Sequence, residues 1–378
     1  MLAESSCCIA ASYEAKAFGV KTGTRISEAR ILCPGIAIVE AKPAEYVRYH
    51  HRIVAAVEDC IHVEAVLSID EMWAWLPLNL REPATVEAIA TRIKAAVARD
   101  VSPVIKVSIG AGPNKYLAKI ASKMRKPDGF FLIEQHALPG ILHGLELRDL
   151  TGIARSMETR LHAAGIHSVE ALCAATKPVL HGVWGGVLGD RLWHLLRGDE
   201  IPDLVSARKS ISHSHVLPPE LRPPARAWPV LCKLLHKACE RLRSHGLLSA
   251  SLTLQLAYPN SPSWVAEARC PETDSTLALM RLLEQLWSAR PEPSRPLLQV
   301  AVVLTHLCEH GNYTPPLWQS AGDAAAAEKQ QRLDAILDPL RARYGRGVLY
   351  FGSAHESRGE APMRISFTHI PDLTLEQD

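Results

Sequence analysis

Two adjacent carboxylates constrain the fold more than any other feature of this sequence. Asp70 and Glu71 follow a mostly apolar run, residues 63–67, whose composition favours a strand. Side chains alternate along a strand, so the two acids point to opposite faces unless a hairpin or bulge turns both toward one place. Two carboxylates at a strand end suit Mg²⁺, which takes oxygen ligands and keeps several waters. An acidic turn that faces water is the commoner explanation of an isolated Asp-Glu pair, so other motifs must decide.

The size and composition of the chain predict several domains and no membrane segment. A chain of 378 residues is too long for one core, so we expect roughly two to four domains. Hydrophobic residues make up 47% and charged residues 22%, which is ordinary for a globular protein, and no apolar run is long enough to span a bilayer. Nine cysteines without zinc-ligand spacing, and an N-terminus without an export signal, predict reduced and mostly buried thiols in a cytoplasmic protein.

Residues 1–140 alternate between predicted strands and helices, which indicates a sheet with helices packed on it. Strands are predicted over residues 6–11, 36–40 and 104–109, and helices over residues 12–19, 22–33, 43–60 and 84–98. Tyr13 and Lys16 share a face of the first helix, where they can hold an anion or form a plain surface pair. We interpret His50 and His51 as surface or partly buried residues, since no third metal ligand stands at helical spacing.

A glycine turn at residues 110–112 leads into a second informative segment, a helix with lysines at every fourth position. Lys115, Lys119 and Lys123 therefore form one basic ridge, and a turn that begins with Lys126 follows it. The ridge is either a solvated lysine face or a phosphate contact close to the two carboxylates.

The second half of the chain divides into two further regions. Residues 141–200 are predicted to be helical, and the glycine turn with Gly152 and Ala154 outlines a helix-hairpin-helix, which offers backbone N–H groups to a DNA phosphate. A helical connector is the alternative, and Ala154 stands where a second glycine is usual. Residues 208–217 predict a strand with a basic and hydroxyl face that includes Arg208, Lys209 and Ser210. The elements after it predict a separate βαββαβ domain. A loop over residues 313–327, a helix over 328–344, a turn and strand over 345–351 and a poorly ordered end are predicted to follow.

Five ordered motifs make the sequence resemble the Y-family translesion DNA polymerases from about residue 6 to residue 306. They are residues 10–20 (AASYEAKAFGV), 68–71 (SIDE), 114–122 (NKYLAKIAS), 126–129 (KPDG) and 208–210 (RKS). The resemblance implies an α+β multidomain protein with a right-hand arrangement. Its parts are a remnant of small fingers (1–35), a palm with an incomplete βαββαβ-like sheet (36–140), a helix-hairpin-helix thumb (141–200), a linker (201–207), a βαββαβ little finger (208–308) and a C-terminal extension (309–378).

The resemblance also implies roles for the candidate residues. Asp70 and Glu71 would bind two Mg²⁺ ions for an in-line attack of the primer on a deoxynucleoside triphosphate. The triphosphate would contact Tyr13, Lys16 and Lys126, although the second position is more often Arg in the family, and Lys lacks the bidentate fork of Arg. Primer–template DNA would contact Gly152 and Ala154 from the thumb, and Arg208, Lys209 and Ser210 from the little finger, largely without reading sequence.

Two departures from the family pattern qualify these implications. Family members begin with a strand that carries a first catalytic aspartate, and nothing before Ser6 corresponds to it. We therefore expect an incomplete metal set and little or no polymerase activity from this chain, and we hypothesise an internal or misassigned start or a truncated gene. A sliding-clamp peptide of the usual kind is also lacking, since only residues 316–319 (PLWQ) approach it, so clamp binding is doubtful.

Three functions remain open from the sequence. The first is an error-prone translesion DNA polymerase, a monomer, active in DNA repair and damage tolerance. The second is a non-catalytic DNA-binding scaffold of a mutagenic complex, although such a scaffold does not need a triphosphate site. The third is a helix-hairpin-helix repair nuclease, which leaves the segments around Tyr13 and Lys126 unexplained.

Overall fold

The computed structural model describes residues 7–204, 207–313, 321–345 and 349–357. These residues form two compact units, one made of residues 45–204 and the other of residues 7–44 together with those from 207 onward. Both units contain helices, and strands pair within each of them. The predicted α+β class is confirmed.

Two short helices, α1 (Tyr13–Ala17) and α2 (Ile26–Leu32), form the described N-terminal segment. The Ser12 side chain caps α1 by accepting a hydrogen bond from the Ala15 N–H at 3.2 Å. A small core of Ala15, Val20 and Ala29 holds the segment together. The helices predicted over residues 12–19 and 22–33 are therefore confirmed, with shorter bounds.

The two strands predicted near the N-terminus are wrong. Cys7 forms only an isolated bridge with Arg25, and residues 36–40 form no strand. A strand needs a neighbour for its backbone N–H and C=O groups, and no described strand pairs with residues 36–40. Val39 accordingly leaves 81% of its surface exposed instead of packing in a sheet.

The unit of residues 45–204 contains the carboxylate pair on a hairpin between two long helices. Helix α3 (Pro43–Glu58) and helix α4 (Pro83–Asp100) share a core, against which Met72 of the hairpin packs. Strands β1 (Ala65–Ser68) and β2 (Glu71–Trp73) pair antiparallel, with a register irregularity between Val66 and Ser68. The predicted hairpin and both predicted helices are confirmed.

A parallel strand pair with a connecting helix follows in the same unit. Strand β3 (Ile109–Ala111), helix α5 (Lys115–Met124) and strand β4 (Phe130–Leu132) form this βαβ arrangement. The strand predicted over residues 104–109 is wrong in its bounds, because β4 offers partners only from Ile109 onward. A Cβ at Gly110 would lie 2.1 Å from the Ala118 carbonyl oxygen, so only glycine lets α5 approach β3 this closely.

The rest of this unit is helical, as predicted for residues 141–200. Its helices are α6 (Arg155–Ala163), α7 (Val169–Ala174), α8 (Lys177–Trp184) and α9 (Val187–Leu195). They share one apolar core with α5, in which Leu117, Leu161 and Leu172 are fully buried. Helix α5, which carries the lysine ridge, is therefore anchored in this helical core.

The other unit contains a four-stranded antiparallel sheet with the order β5-β8-β6-β7. Its elements are β5 (Ser210–Val216), α10 (Pro224–Ser244), β6 (Leu247–Ala257), β7 (Trp264–Thr273), α11 (Thr276–Ser288) and β8 (Gln299–Glu309), which confirms the predicted βαββαβ order. The two helices pack on one face of the sheet. Helix α10 begins with Pro224, since proline is tolerated in the first turn, where no intrahelical hydrogen bond is lost.

A further helix, α12 (Ala321–Tyr344), packs on this unit. The Arg243 guanidinium donates to both carboxylate oxygens of Asp338, at 2.6 and 3.0 Å, in a bidentate pair. Helix α12 therefore covers residues that we expected to form a loop before residue 328. The expected strand over residues 345–351 is not present at 349–351, and residues 346–348 lie outside the described part.

Burial of His236 on α10 predicts a pH-dependent stability. Its Nε2 atom has no hydrogen-bond partner within the described ranges, and burial, with the charges of Arg341 and Arg243 nearby, lowers its pKa to about 3. Between pH 7.5 and 5 the unfolded chain therefore binds a proton that the folded chain does not. The free energy of unfolding should fall by about 2 kcal/mol from this group over that range.

Urea unfolding of the wild type and His236→Leu at both pH values measures this contribution. The variant should lose about 2 kcal/mol of the pH dependence, whereas His136→Leu, at an exposed histidine, should keep all of it. Equal pH dependence in the wild type and His236→Leu would contradict the assignment.

Candidate metal and nucleotide site

The turn between β1 and β2 presents the carboxylate pair at the end of the hairpin. Ser68 is buried, and its hydroxyl donates to Asp70 Oδ1 at 2.7 Å. Glu71 begins β2 directly across from Ser68 in the register. The irregularity in β1 falls beside this pairing, where the sequence had suggested a hairpin or bulge. Asp70 and Glu71 are thus held on one turn, with Asp70 oriented by a neighbouring hydroxyl.

A buried histidine holds the backbone of the same turn. His50 on α3 is 3% exposed, and its Nδ1 lies 2.7 Å from the Ile69 carbonyl oxygen. A carbonyl only accepts, so Nδ1 carries the proton and donates it. Burial lowers the pKa of His50, which favours the neutral ring at neutral pH. His50 therefore positions the residue that precedes Asp70, and it is more deeply buried than the surface or partly buried position that we predicted.

The second carboxylate of the pair is bound to the lysine ridge. The Lys119 ammonium donates to Glu71 Oε2 at 2.6 Å. Their side chains are 33% and 43% exposed, so the pair is reachable from solvent. One interpretation of the sequence was that the ridge contacts phosphate close to the two carboxylates. The contact between Lys119 and Glu71 confirms that the ridge and the carboxylates are adjacent.

The other two lysines of the ridge bind different partners. Lys115 forms an ion pair with Asp203 and lies 5.3 Å from the centre of the Trp73 ring. The Lys123 ammonium lies 3.3 Å from the Asp149 carbonyl oxygen. Burial, with a smaller contribution from the charge of Lys119, lowers the pKa of Lys123. Each lysine of the ridge therefore has its own partner in the protein, and the ridge is not a uniformly solvated face.

Lys126 stands on the turn after α5, as predicted. Its charge contributes to lowering the pKa of Lys123, so the two ammonium groups are close enough to interact. Asp128 in the same turn is held by Lys94 and Lys106, at 3.6 and 3.8 Å. Lys126 itself has no hydrogen-bond or ion-pair partner in the part of the chain that the structure describes. The turn thus leaves this ammonium available to a ligand.

Tyr13 and Lys16 belong to the other compact unit. The Lys16 ammonium lies 4.4 Å from the centre of the Tyr13 ring, which confirms that both residues share one face of α1. Both side chains are exposed. Their role in binding an anion stays a prediction.

The predicted helix-hairpin-helix turn has the backbone conformation that a glycine favours. Gly152 has φ +91°, and Ala154 is the N-cap residue of α6 without a side-chain cap. The Tyr116 hydroxyl donates to the Thr151 carbonyl at 3.2 Å and ties the turn to α5. The first N–H groups of α6 are therefore not capped by the side chain of Ala154.

Arg208 and Lys209 are exposed and lead into β5, where Ser210 pairs with Thr305 of β8. Along β5 the hydroxyl residues at 210, 212 and 214 are exposed, whereas Ile211 and His215 are buried. The predicted alternation, with a hydroxyl face, is confirmed. Contact of this face with DNA stays a prediction.

Several sequence expectations concern ligands, membranes and thiols. Within the described ranges, no group of three or more His, Cys, Asp or Glu side chains is arranged to hold a metal. No described helix has the length and apolar character for a bilayer crossing. All nine cysteines are free, but only three of them are buried. Residues 316–319, the weak clamp-peptide candidate, lie outside the described part.

Comparisons with known proteins agree with the motifs. Residues 2–123 match the impB/mucB/samB family, and residues 208–317 match the C-terminal domain of that family. The chain is 32% identical to DNA polymerase IV of Moorella thermoacetica over 360 residues, which cover 90% of this chain and 85% of that protein. It is 30% identical to DNA polymerase IV of Pelotomaculum thermopropionicum, over 89% of this chain and 83% of that one.

A solved structure has a similar fold. A Y-family DNA polymerase chimera aligns with a TM-score of 0.64 and 21% identity, over 81% of this chain and 89% of the chimera. The sequence identities, the matched domains and this fold place the chain in the impB/mucB/samB family, the Y-family of DNA polymerases.

Sequence reasoning missed two residues that orient the carboxylates, Ser68 and His50. In the sequence Ser68 stands out only as part of the 68–71 motif, although a hydroxyl two residues before an aspartate can donate a hydrogen bond to its carboxylate. His50 stands 19 positions before Ile69, its hydrogen-bond partner, and no local spacing signals a contact at that separation.

Removal of the His50 imidazole should destabilise the hairpin. His50→Ala leaves the Ile69 carbonyl without its donor, and we expect a loss of about 1–3 kcal/mol in the free energy of unfolding. His51→Ala, at the exposed neighbour, should change it by less than about 0.5 kcal/mol. Chemical denaturation of both variants measures the difference, and equal losses would show that the hydrogen bond contributes nothing specific.

Proposed function

We propose that this chain acts as a template-directed DNA polymerase of the error-prone translesion type. The observation that carries the proposal is the Asp70–Glu71 turn, which the Ser68 hydroxyl orients and the Lys119 ammonium contacts. The relatives named DNA polymerase IV support the reaction type. The proposed role lies in DNA repair and damage tolerance.

The donor set on the turn fits magnesium. Asp70 and Glu71 offer hard carboxylate oxygens on neighbouring residues, and Mg²⁺ prefers such ligands together with waters and substrate phosphates. Asp70 and Glu71 would hold the ions, two in the complete site. Divalent cations there would lower the pKa of the primer 3′ hydroxyl and stabilise charge on the transferred phosphoryl group.

The chain's own side chains would bind and orient the substrates. Lys126, with no ion-pair partner in the described part of the chain, would contact the triphosphate as a point charge. Tyr13 and Lys16 would contribute a further triphosphate contact from α1. His50 and Ser68 would keep the two carboxylates in place while substrate exchanges.

Primer–template DNA would be held by contacts that read no base. Gly152 and Ala154 place the uncapped start of α6 where a phosphate can accept backbone hydrogen bonds. Arg208 and Lys209 add exposed positive charge, and Ser210 adds a hydroxyl at the start of β5. The helix-hairpin-helix, the thumb and the little finger are proposed on this basis.

A non-catalytic DNA-binding scaffold is the second candidate function. Exposed Arg208 and Lys209 beside β5 favour this candidate, because such cations can hold DNA without a metal or a nucleotide. Lys126, which has no hydrogen-bond or ion-pair partner within the described ranges, favours the polymerase, since a scaffold does not need a triphosphate contact. Low activity of this chain stays a prediction.

Replacement of Asp70 tests the catalytic assignment. Single-nucleotide incorporation on primer–template DNA should fall more than about a hundredfold in Asp70→Asn. Mutation of residues that only hydrogen-bond to a metal ligand already lowers activity by about 10–100-fold, and loss of a ligand itself should cost more. Asp59→Asn, at an exposed acid in the same unit, should incorporate at the wild-type rate. Undiminished incorporation by Asp70→Asn would contradict the assignment.

If the wild type incorporates no nucleotide, a measurement of nucleotide binding distinguishes the polymerase from the scaffold. A polymerase site should bind deoxynucleoside triphosphate only with Mg²⁺, and Asp70→Asn should abolish this dependence. DNA binding that is indifferent to Mg²⁺ and to nucleotide, with no nucleotide binding at all, would favour the scaffold.

The basic approach to β5 predicts a salt-dependent affinity. The double variant Arg208→Ala/Lys209→Ala should weaken DNA binding equally for different sequences, and should reduce the slope of log Kd against log salt by about two. Fluorescence anisotropy at several salt concentrations measures the slope. Arg48→Ala/Arg99→Ala removes two cations that are paired with Glu45 and Asp100, and should leave the slope unchanged. Equal slopes for the wild type and the first variant would exclude these contacts.

A further inference from the structure

Lys119 and Glu71 form a contact that a metal ion at the same carboxylate must disturb. The ammonium lies 2.6 Å from Glu71 Oε2, which is one of the oxygens proposed to bind a divalent cation. A cation with two charges at that oxygen and an ammonium at hydrogen-bond distance repel each other. Both side chains are partly exposed, so the lysine can move away into solvent.

The neighbours of Lys119 on the ridge cannot take over its contact without losing their own. Lys115 is paired with Asp203, and Lys123 is held by the Asp149 carbonyl and the Thr151 hydroxyl. The Lys119 ammonium has no second hydrogen-bond or ion-pair partner among the residues that the structure describes. Release from Glu71 therefore leaves the Lys119 ammonium free for an anion.

We propose that Lys119 is the resident counter-ion of Glu71 and competes with the divalent cation for this carboxylate. The inference rests on the proposed function, because it takes Glu71 as a metal ligand. An incoming triphosphate relieves the competition, since its phosphate oxygens accept the released ammonium. Lys119 thereby couples nucleotide binding to metal binding and is a positioning residue rather than a catalytic one.

The competition has a direct consequence for the protein without nucleotide. The Lys119 ammonium lowers its affinity for a divalent cation. The same ammonium also neutralises the charge of Glu71 next to Asp70. Removal of the ammonium should therefore tighten metal binding, although it deletes a contact of Glu71. A lysine that merely orients Glu71 for the metal predicts the opposite sign.

Titration of the full chain with Mn²⁺, followed by electron paramagnetic resonance of the free ion, tests the sign without nucleotide or DNA. Lys119→Met should bind Mn²⁺ about fivefold more tightly than the wild type, a ratio near the upper range for exposed ion pairs. Lys119→Arg keeps the charge and should stay within about twofold of the wild type. Lys115→Met removes a cation one turn away and is the matched control, which should also stay within about twofold.

The outcomes separate this inference from the proposed function. Weaker or unchanged Mn²⁺ affinity in Lys119→Met overturns the competition, and so does an equal gain in Lys115→Met, which would reflect net charge alone. Glu71→Gln checks the metal site itself. Mn²⁺ affinity that is reduced in Glu71→Gln but unaltered in Lys119→Met overturns only the inference. Unaltered affinity in Glu71→Gln overturns the metal site and the inference together.

Discussion

Charge balance at two neighbouring carboxylates is the constraint on which the rest of the site depends. Asp70 and Glu71 repel each other in a short turn, and each has one donor that offsets this repulsion. The Ser68 hydroxyl donates a hydrogen bond to Asp70, and the Lys119 ammonium donates one to Glu71. The hydrogen bond from His50 fixes the intervening backbone at Ile69. The backbone of the turn and the Asp70 carboxylate are therefore held in place before any metal binds, whereas Glu71 is still paired with the Lys119 ammonium.

Helix α5 brings the cations to the acids, and two small features fix its position. Gly110 lets the helix approach β3 at a distance that any side chain would prevent. Asn114 caps the helix at the Leu117 N–H, and its amide group also donates to the carbonyls of Leu195 and Asp199, both at 3.0 Å. The lysine ridge is thus attached at its N-terminal end to the helical core. The packing of α5 therefore determines where the ridge lysines lie.

Local pattern was enough to predict the hairpin, the lysine ridge and the βαββαβ unit. Each depends on periodicity or on adjacency in the sequence, as in the four-residue spacing that joins Lys115, Lys119 and Lys123. Strand predictions were wrong where strand formation depends on a neighbouring strand. Residues 36–40 have a composition that favours a strand, but no described strand pairs with them. The role of His50 was missed for a related reason, because its burial and its hydrogen bond depend on a segment far along the chain. The partners of the ridge lysines were likewise set by tertiary contacts.

Metal binding at the Asp70–Glu71 turn is the feature on which the proposed function depends most. A crystal structure of this chain with primer–template DNA, Mn²⁺ and a non-hydrolysable deoxynucleoside triphosphate tests it through the anomalous signal of manganese. The account predicts a manganese peak within about 2.5 Å of carboxylate oxygens of both residues, with the Lys119 ammonium displaced from Glu71 toward a phosphate. Nucleotide bound without manganese at either carboxylate would contradict the account.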